Sequence, residues 1–261
     1  MKALQPIERI EPPSPETFVA RYLKPGRPVI LTGAANDWPA RKLWTPELLA
    51  ARFGDRIVPA IRTVGGTLYD PQKGLNYEEV RLGHFARDVS AKPGPHPLYV
   101  VFRVHEKLPE LMNDVTLPAY CGTPPWLRSR FWFGAEGTKG PFHRDLPYNL
   151  YAQVHGRKRF VLLDPWQGFR VPRHAWHSGV PNYSPVDAEV PDLKLFPRFE
   201  KAPLMVADLE PGDLFYIPPM WWHQARALSL SISLNLWWAT GAMAQAARAA
   251  EWFMRVRQLK L

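Results

Sequence analysis

From Arg130 onward apolar and polar positions alternate in short runs: "RFWFG", "NLYAQV", "RKRFVLLD", "LMVADL", "DLFYIP", "HQARAL" and "SLSISLNLWW". Turn signals at His155-Gly156 and Pro211-Gly212-Asp213 separate them, so this half predicts strand after strand. The last run says most. Ser229, Ser231, Ser233 and Asn235 fall on one face, and Leu230, Ile232, Leu234 and Leu236 on the other. Such period-two alternation puts one face in a core and the other against something polar. A serine face flanked by Trp237-Trp238 suits bulk water poorly; a small barrel with a polar pocket accounts for it better.

Before Arg130 the pattern mixes helix and strand. Ser14-Pro15-Glu16 reads as an N-cap with Pro at the first helical position, opening a helix through about Leu23. "RPVILTG" predicts a buried strand, and Thr45-Pro46-Glu47 opens a second helix that Gly54 ends. "RIVPAIRTV" predicts a strand broken by Pro59, and Tyr77 to Val89 a third helix. Gln167 to Glu200, rich in Pro, Arg and His, predicts a long surface loop of the kind that often carries function. With no internal repeat or low-complexity linker, the expectation is one domain over 1–240, an α/β embellishment on a barrel. A C-terminal helix with a basic end follows over 241–261.

Composition changes this picture little. The 261 residues suffice for one large domain, and 29 Pro favour turns and short strands over long helices. No apolar run approaches the ~18 residues of a membrane span, and "MKALQPIERIEPP" lacks the apolar stretch of a signal peptide. The single cysteine, Cys121, cannot form an internal disulfide, which fits a reducing, cytoplasmic setting. A net charge of +9 would favour an anionic partner, but the basic residues are scattered without a Lys/Arg block.

Chemistry concentrates in "PFHRDLPYNLYAQVHGRKRF". His143 and Asp145 are i, i+2 on an extended segment, so both leave one face with Cα atoms about 7 Å apart. Alone, such a pair is an ordinary coincidence in a chain with 8 His and 24 acidic residues. "EPGDLFYIPPMWWH" adds a turn, one strand and His223. Two histidines and one carboxylate with open positions are the donor set of non-haem Fe(II) sites that activate O₂. Such a site needs a co-substrate to supply electrons, and a dicarboxylate such as 2-oxoglutarate would need a cation at its far end. Lys158, opening the strand after the Gly156 turn, is the natural candidate; Arg157 and Arg159 should point outward. Asn149 shares a face with Tyr151 and Gln153 and could meet the co-substrate near the metal.

Three stretches, "KPGRPVILTGAANDWP", "GTKGPFHRDLPYNLYAQVHGRKRFVLLDPWQ" and "NYSPVDAEVPDLKLFPRFEKAPLMVADLEPGDLFYIPPMWWHQARALSLSISLNLWW", resemble the JmjC-only (cupin-like) 2-oxoglutarate oxygenases. The arginyl hydroxylase type is the most similar, and tRNA hydroxylases are more distant. The resemblance runs from about residue 10 to Trp238. It implies a mainly β fold with flanking helices, a double-stranded β-helix (cupin or jelly-roll) core, and Fe(II) on His143, Asp145 and His223. It also implies that Lys158 and Tyr99 bind the far carboxylate of 2-oxoglutarate, that Asn149 and Asn235 line its metal end, and that Trp132 forms a pocket wall. Relatives commonly carry Ser or Thr where this chain has Gly140, so a hydroxyl contact to the co-substrate would be lost. The implied activity is hydroxylation of a polypeptide side chain, Arg or similar, with release of succinate and CO₂. RNA hydroxylation and a non-enzymatic binding protein on the same fold are the alternatives. His174 and His177, in the long loop, read as surface or lid residues rather than a second metal site. Met243, Ala247, Ala250 and Phe253 fall at helical spacing and predict either a homodimer contact or packing on the chain's own barrel.

Overall fold

The computed structural model describes residues 4–70, 74–90, 97–175, 180 and 182–256. Strands β1 (Gln5–Pro6) and β2 (Arg9–Ile10) lead into helix α1 (Pro15–Phe18), which widens to a π turn over Val19–Leu23, and then to β3 (Val29–Leu31). Helices α2 (Ala40–Leu43) and α3 (Pro46–Phe53) precede strands β4 (Ile57–Arg62) and β5 (Tyr77–Arg81). Helix α4 (Leu82–Ser90), strand β6 (Leu98–Arg103) and helix α5 (Val104–Lys107) complete the embellishment. The caps are those the sequence announces: Ser14 Oγ accepts from Thr17 N–H at 3.3 Å and Thr45 Oγ1 from Leu48 N–H at 3.2 Å, each with Pro next in the chain.

The second half is almost all strand: β7 (Trp126–Gly134), β8 (Phe142–Arg144), β9 (Tyr148–His155), β10 (Lys158–Leu163), β11 (Tyr183–Ser184), β12 (Met205–Leu209), β13 (Leu214–Ile217), β14 (Trp222–Ala227) and β15 (Ser231–Ala239). They form a six-stranded sheet, β1-β12-β10-β14-β8-β11, and a nine-stranded sheet, β2-β3-β13-β9-β15-β7-β6-β4-β5. The chain crosses between the sheets repeatedly from β7 to β15, giving the double-stranded β-helix architecture. The alternation on β15 sorts as its pattern requires. Ile232, Leu234 and Leu236 join Trp44, Phe131 and Phe133 in the core beneath the helices. Ser233 and Asn235 turn the other way, yet both are buried, and Ser233 donates to Gln153 Oε1 at 2.9 Å. That polar face is turned inward, and its Asn235 lines a cavity.

Four expectations change or sharpen. Tyr77–Arg81 is strand rather than helix, because it pairs with β4 and closes the edge of the large sheet; the helical burial pattern begins only at Leu82, with Phe85, Ala86 and Val89. Pro59 does not break β4. Its missing N–H is tolerated because β6 joins β4 only from Ala60, so Pro59 has β5 as its one neighbour. The long loop contributes β11, whose Tyr183 pairs with His143. Finally, helix α6 (Gly241–Val256) lies on its own barrel: Ala244 and Ala247 pack with Trp126 and Ala239, and Glu251 takes a bidentate ion pair from Arg128. Met243 and Ala247 are therefore packed on the chain's own barrel while Ala250 is exposed, and the homodimer expectation gains no support; the Phe253 side chain lies outside the described residues. Among the described residues no helix is long and apolar enough to cross a membrane.

Candidate active site

Strands β8 and β14 pair with His143 directly opposite His223, their ring centroids 4.3 Å apart. Each ring is tied by Nδ1 to the carbonyl two residues before it, His143 to Pro141 O and His223 to Trp221 O, both at 2.9 Å. A carbonyl only accepts, so Nδ1 carries the proton and each Nε2 keeps its lone pair free. Both Nε2 atoms face the Asp145 carboxylate, at 3.9 Å from His143 and 3.8 Å from His223. Those gaps are too long for hydrogen bonds, while all three donors lie within 4.8 Å of one another, close enough to be drawn together around a single ion. Among the described residues, buried Asp145 Oδ2 has no hydrogen-bond partner, which a folded protein rarely leaves so. Burial, followed by the neighbouring His143, pushes the His223 pKa down to about 4 and keeps it in the neutral form that metals require. These residues fit a divalent first-row metal.

A second polar group sits deeper. Gly156, at φ +67°, turns β9 into β10; a side chain there would run into the Leu230 carbonyl. Two residues on, Lys158 points inward, 3% exposed, and donates from Nζ to Tyr99 Oη at 2.8 Å and Tyr151 Oη at 2.5 Å. Arg157 and Arg159 face outward, as strand parity predicts. Among the described residues no carboxylate pairs with Lys158, and burial pushes its pKa down to about 7. Tyr99 reaches it only because Gly134 opposite has no side chain to strike the ring. Burial raises the pKa of both phenols, so they stay protonated and can donate.

Between the two groups runs an amide chain. Trp132 Nε1–H donates to Asn235 Oδ1, and Asn235 Nδ2 donates to Asn149 Oδ1 at 2.7 Å. One cavity of about 590 Å³ joins the three donors, Lys158, Tyr99, Tyr151, Trp132 and both asparagines. The structure thus brings every sequence-nominated site residue to a single space. Gly140 lines it too, and a Cβ there would meet only Ala225 O at 3.9 Å. His174 lies outside the donor cluster, against Tyr69 with ring centroids 5.4 Å apart, and His177 lies outside the described residues.

Sequence reasoning did not nominate Tyr151, Tyr183 or Arg130. Tyr151 carried a signal, the shared face with Asn149; parity alone does not say which hydroxyl reaches the lysine. Tyr183, whose ring centroid is 5.4 Å from that of His143, comes from the unpatterned loop. Arg130 alternates with Trp132 on β7, the same inward parity.

A family model described as the cupin-like domain matches residues 15–243. The chain belongs to the cupin-like (JmjC) family. Among curated JmjC relatives, "Lysine-specific demethylase 8" of Xenopus tropicalis is 32% identical over 238 residues, covering 89% of this chain and 53% of its own length. "Lysine-specific demethylase JMJ30" of Arabidopsis thaliana is 31% identical, with 90% and 55% covered. "tRNA wybutosine-synthesizing protein 5" of Danio rerio is 28% identical, with 85% and 72% covered. This JmjC chain therefore spans about half the length of the demethylase relatives. The crystal structure of E. coli ycfD superposes with a TM-score of 0.55 at 18% identity, over 96% of this chain and 59% of the other, a likeness of fold. The JmjC family uses Fe(II) and 2-oxoglutarate.

Proposed function

We propose that the protein is an Fe(II)- and 2-oxoglutarate-dependent hydroxylase acting on a polypeptide side chain. The observation that carries this is Lys158: a buried cation with two phenol partners and no carboxylate, in the same cavity as an open two-histidine, one-carboxylate set. A buried charge without a counter-charge is costly, and a ligand carboxylate would supply one. His143, Asp145 and His223 would hold the iron. Lys158, Tyr99 and Tyr151 would grip the far carboxylate of 2-oxoglutarate, with Asn149, Asn235 and Trp132 beside its metal end. Leu68, Leu75, Val101 and Phe160 give the cavity apolar walls that exclude water. Iron, when bound, supplies the redox chemistry that couples O₂ to both organic substrates. In balance, one O₂ and one 2-oxoglutarate turn a substrate C–H into C–OH and release succinate and CO₂.

The expectation of arginine as the substrate side chain finds little in the cavity wall: of its two carboxylates, Asp145 faces the histidines and Glu251 pairs with Arg128. A tRNA nucleoside is the second reading, favoured by the +9 charge and the wybutosine relative; strongly salt-dependent tRNA binding would support it. The test of the main reading is succinate released from 2-oxoglutarate under air with Fe(II). Wild-type protein should release it and His223→Ala should not; equal release from both would overturn the assignment.

A further inference from the structure

Resting on that reading, we infer that Arg130 selects the substrate, and that the substrate carries a carboxylate, presented as an acidic side chain of a polypeptide. Six cationic side chains line the cavity, against the carboxylates of Asp145 and Glu251 only. Three of the six have polar partners, Arg144 lies over the Trp222 ring, and Arg173 and Arg130 remain. Lys158 has its phenols, Arg128 pairs with Glu251, and Arg103 pairs with Glu106 at 2.9 Å. Arg130 has neither an ion pair nor a hydrogen bond among the described residues. Its guanidinium is instead held between two indoles, 5.6 Å from the Trp132 ring centroid and 5.2 Å from that of Trp237. It is also near enough to Tyr77 and Tyr183 for its charge to act on both phenols. A planar fork stacked this way is oriented in advance and keeps its donors for a planar acceptor, which a carboxylate matches.

A second donor waits on the same wall. Trp237 Nε1–H is buried and has no hydrogen-bond partner among the described residues, and Trp237 lines the cavity with Arg130. Two unused donors, with the Asp145 carboxylate as the one lining acid not paired to a cation and turned to the histidines instead, describe a site for an anion. A substrate guanidinium or ammonium would meet Arg130 as a like charge.

The co-substrate does not account for Arg130. Lys158 bonds Tyr99, which pairs with Gly134, four residues along β7 from Arg130, or about 13 Å. A dicarboxylate held by Lys158 and the metal leaves Arg130 on the side of the cavity that Arg128, Glu251 and Ala247 also line. A polypeptide suits that side better than RNA, because Arg103 and Arg128 are already neutralised by Glu106 and Glu251, which interrupts a basic track for a phosphate backbone.

The test uses full-length protein with Fe(II) and 2-oxoglutarate, and end-blocked peptide pools with random flanks and one fixed central residue: Asp, Glu, Asn, Gln, Arg or Lys. The readouts are peptide-stimulated succinate and a 16-dalton gain on the peptide. Asp or Glu pools should exceed Arg and Lys pools by about tenfold or more, one buried charge contact at 1.4 kcal/mol per decade. Arg130→Gln should remove that preference, Arg130→Lys should restore part of it, and 2-oxoglutarate affinity should stay within about threefold in both. Equal or greater turnover of basic pools overturns the inference, as does stimulation by tRNA or by free acidic amino acids but by no peptide. A fall in 2-oxoglutarate affinity matching the fall in turnover would reassign Arg130 to the co-substrate. Failure of wild-type protein to bind 2-oxoglutarate at all would instead sink the oxygenase reading beneath it.

Discussion

The two polar groups in the cavity are organised in opposite ways. At the metal end each histidine is oriented by a carbonyl two residues before it on its own segment, and one strand pairing brings the rings together. At the lysine end the three partners come from β6, β9 and β10, and their meeting depends on the Gly156 turn and the missing Cβ of Gly134. The first group sets two carbonyl-oriented histidines around one carboxylate; the second is a lysine that no carboxylate pairs with among the described residues. The metal end is thus preorganised cheaply and locally, and the lysine end at a cost to the ligand-free fold that a bound anion removes.

The largest effects should come from the metal end. Replacing His143, Asp145 or His223 with Ala leaves two donors, and Fe(II) affinity should fall by more than the 10–100-fold typical of losing a group that merely supports a ligand. Equilibrium dialysis against Fe(II) under argon checks this, and unchanged binding in any one variant would break the contrast. Asp145→Asn should leave the metal-free protein at least as heat-stable as wild type, because Asp145 Oδ2 has no partner to lose.

At the lysine end the expected effect on the ligand-free protein is a gain. The folded pKa of Lys158 is pushed from 10.5 down to about 7, so the folded state resists a proton that the unfolded state accepts. Below about pH 7 the penalty is fully present, up to roughly 5 kcal/mol at 1.36 kcal/mol per pKa unit. Between pH 7 and 10.5 the folded protein sheds the proton first, and stability rises. Lys158→Met should therefore unfold at higher denaturant than wild type at pH 6.5, with the advantage shrinking toward pH 9.5. Saturating 2-oxoglutarate should stabilise wild type and not the variant. A pH-independent difference would mean that Lys158 is already balanced.

Gly140→Ser should have the smallest effect. The nearest atom to a new Cβ is Ala225 O at 3.9 Å, so the side chain fits without strain. One added hydrogen bond is worth about 0.5–1.5 kcal/mol, so 2-oxoglutarate affinity should change by roughly tenfold or less. A larger change in the titration would place Gly140 nearer the co-substrate than its open surroundings suggest.

The same contrast explains what could be read from the chain beforehand. His143, Asp145 and His223 were legible because their spacing and the strands around them are local features. Lys158 was legible from a glycine turn and strand parity. Tyr151 shared the right face but not a motif, since its role depends on where β10 lies against β9. Arg130 looked like one polar position in "RFWFG", and only the two indoles around it and its lack of an acid distinguish it. Tyr183 arrives from a segment without periodicity, and Tyr77–Arg81 imitated a helix because the residues after it are one. Pairing across long sequence separations sets these placements, and a pattern read along the chain does not contain it.

The most direct test of the central claim is anaerobic titration of 2-oxoglutarate into the Fe(II) protein, following the metal-to-ligand charge-transfer band, for wild type and Lys158→Ala. Truncating one partner of a buried ion pair costs about 3–5 kcal/mol, so the variant should bind roughly two to four decades more weakly, at 1.4 kcal/mol per decade. Its Fe(II) affinity should be unchanged. Wild-type 2-oxoglutarate affinity in Lys158→Ala, or no band in the wild-type protein, would contradict the account.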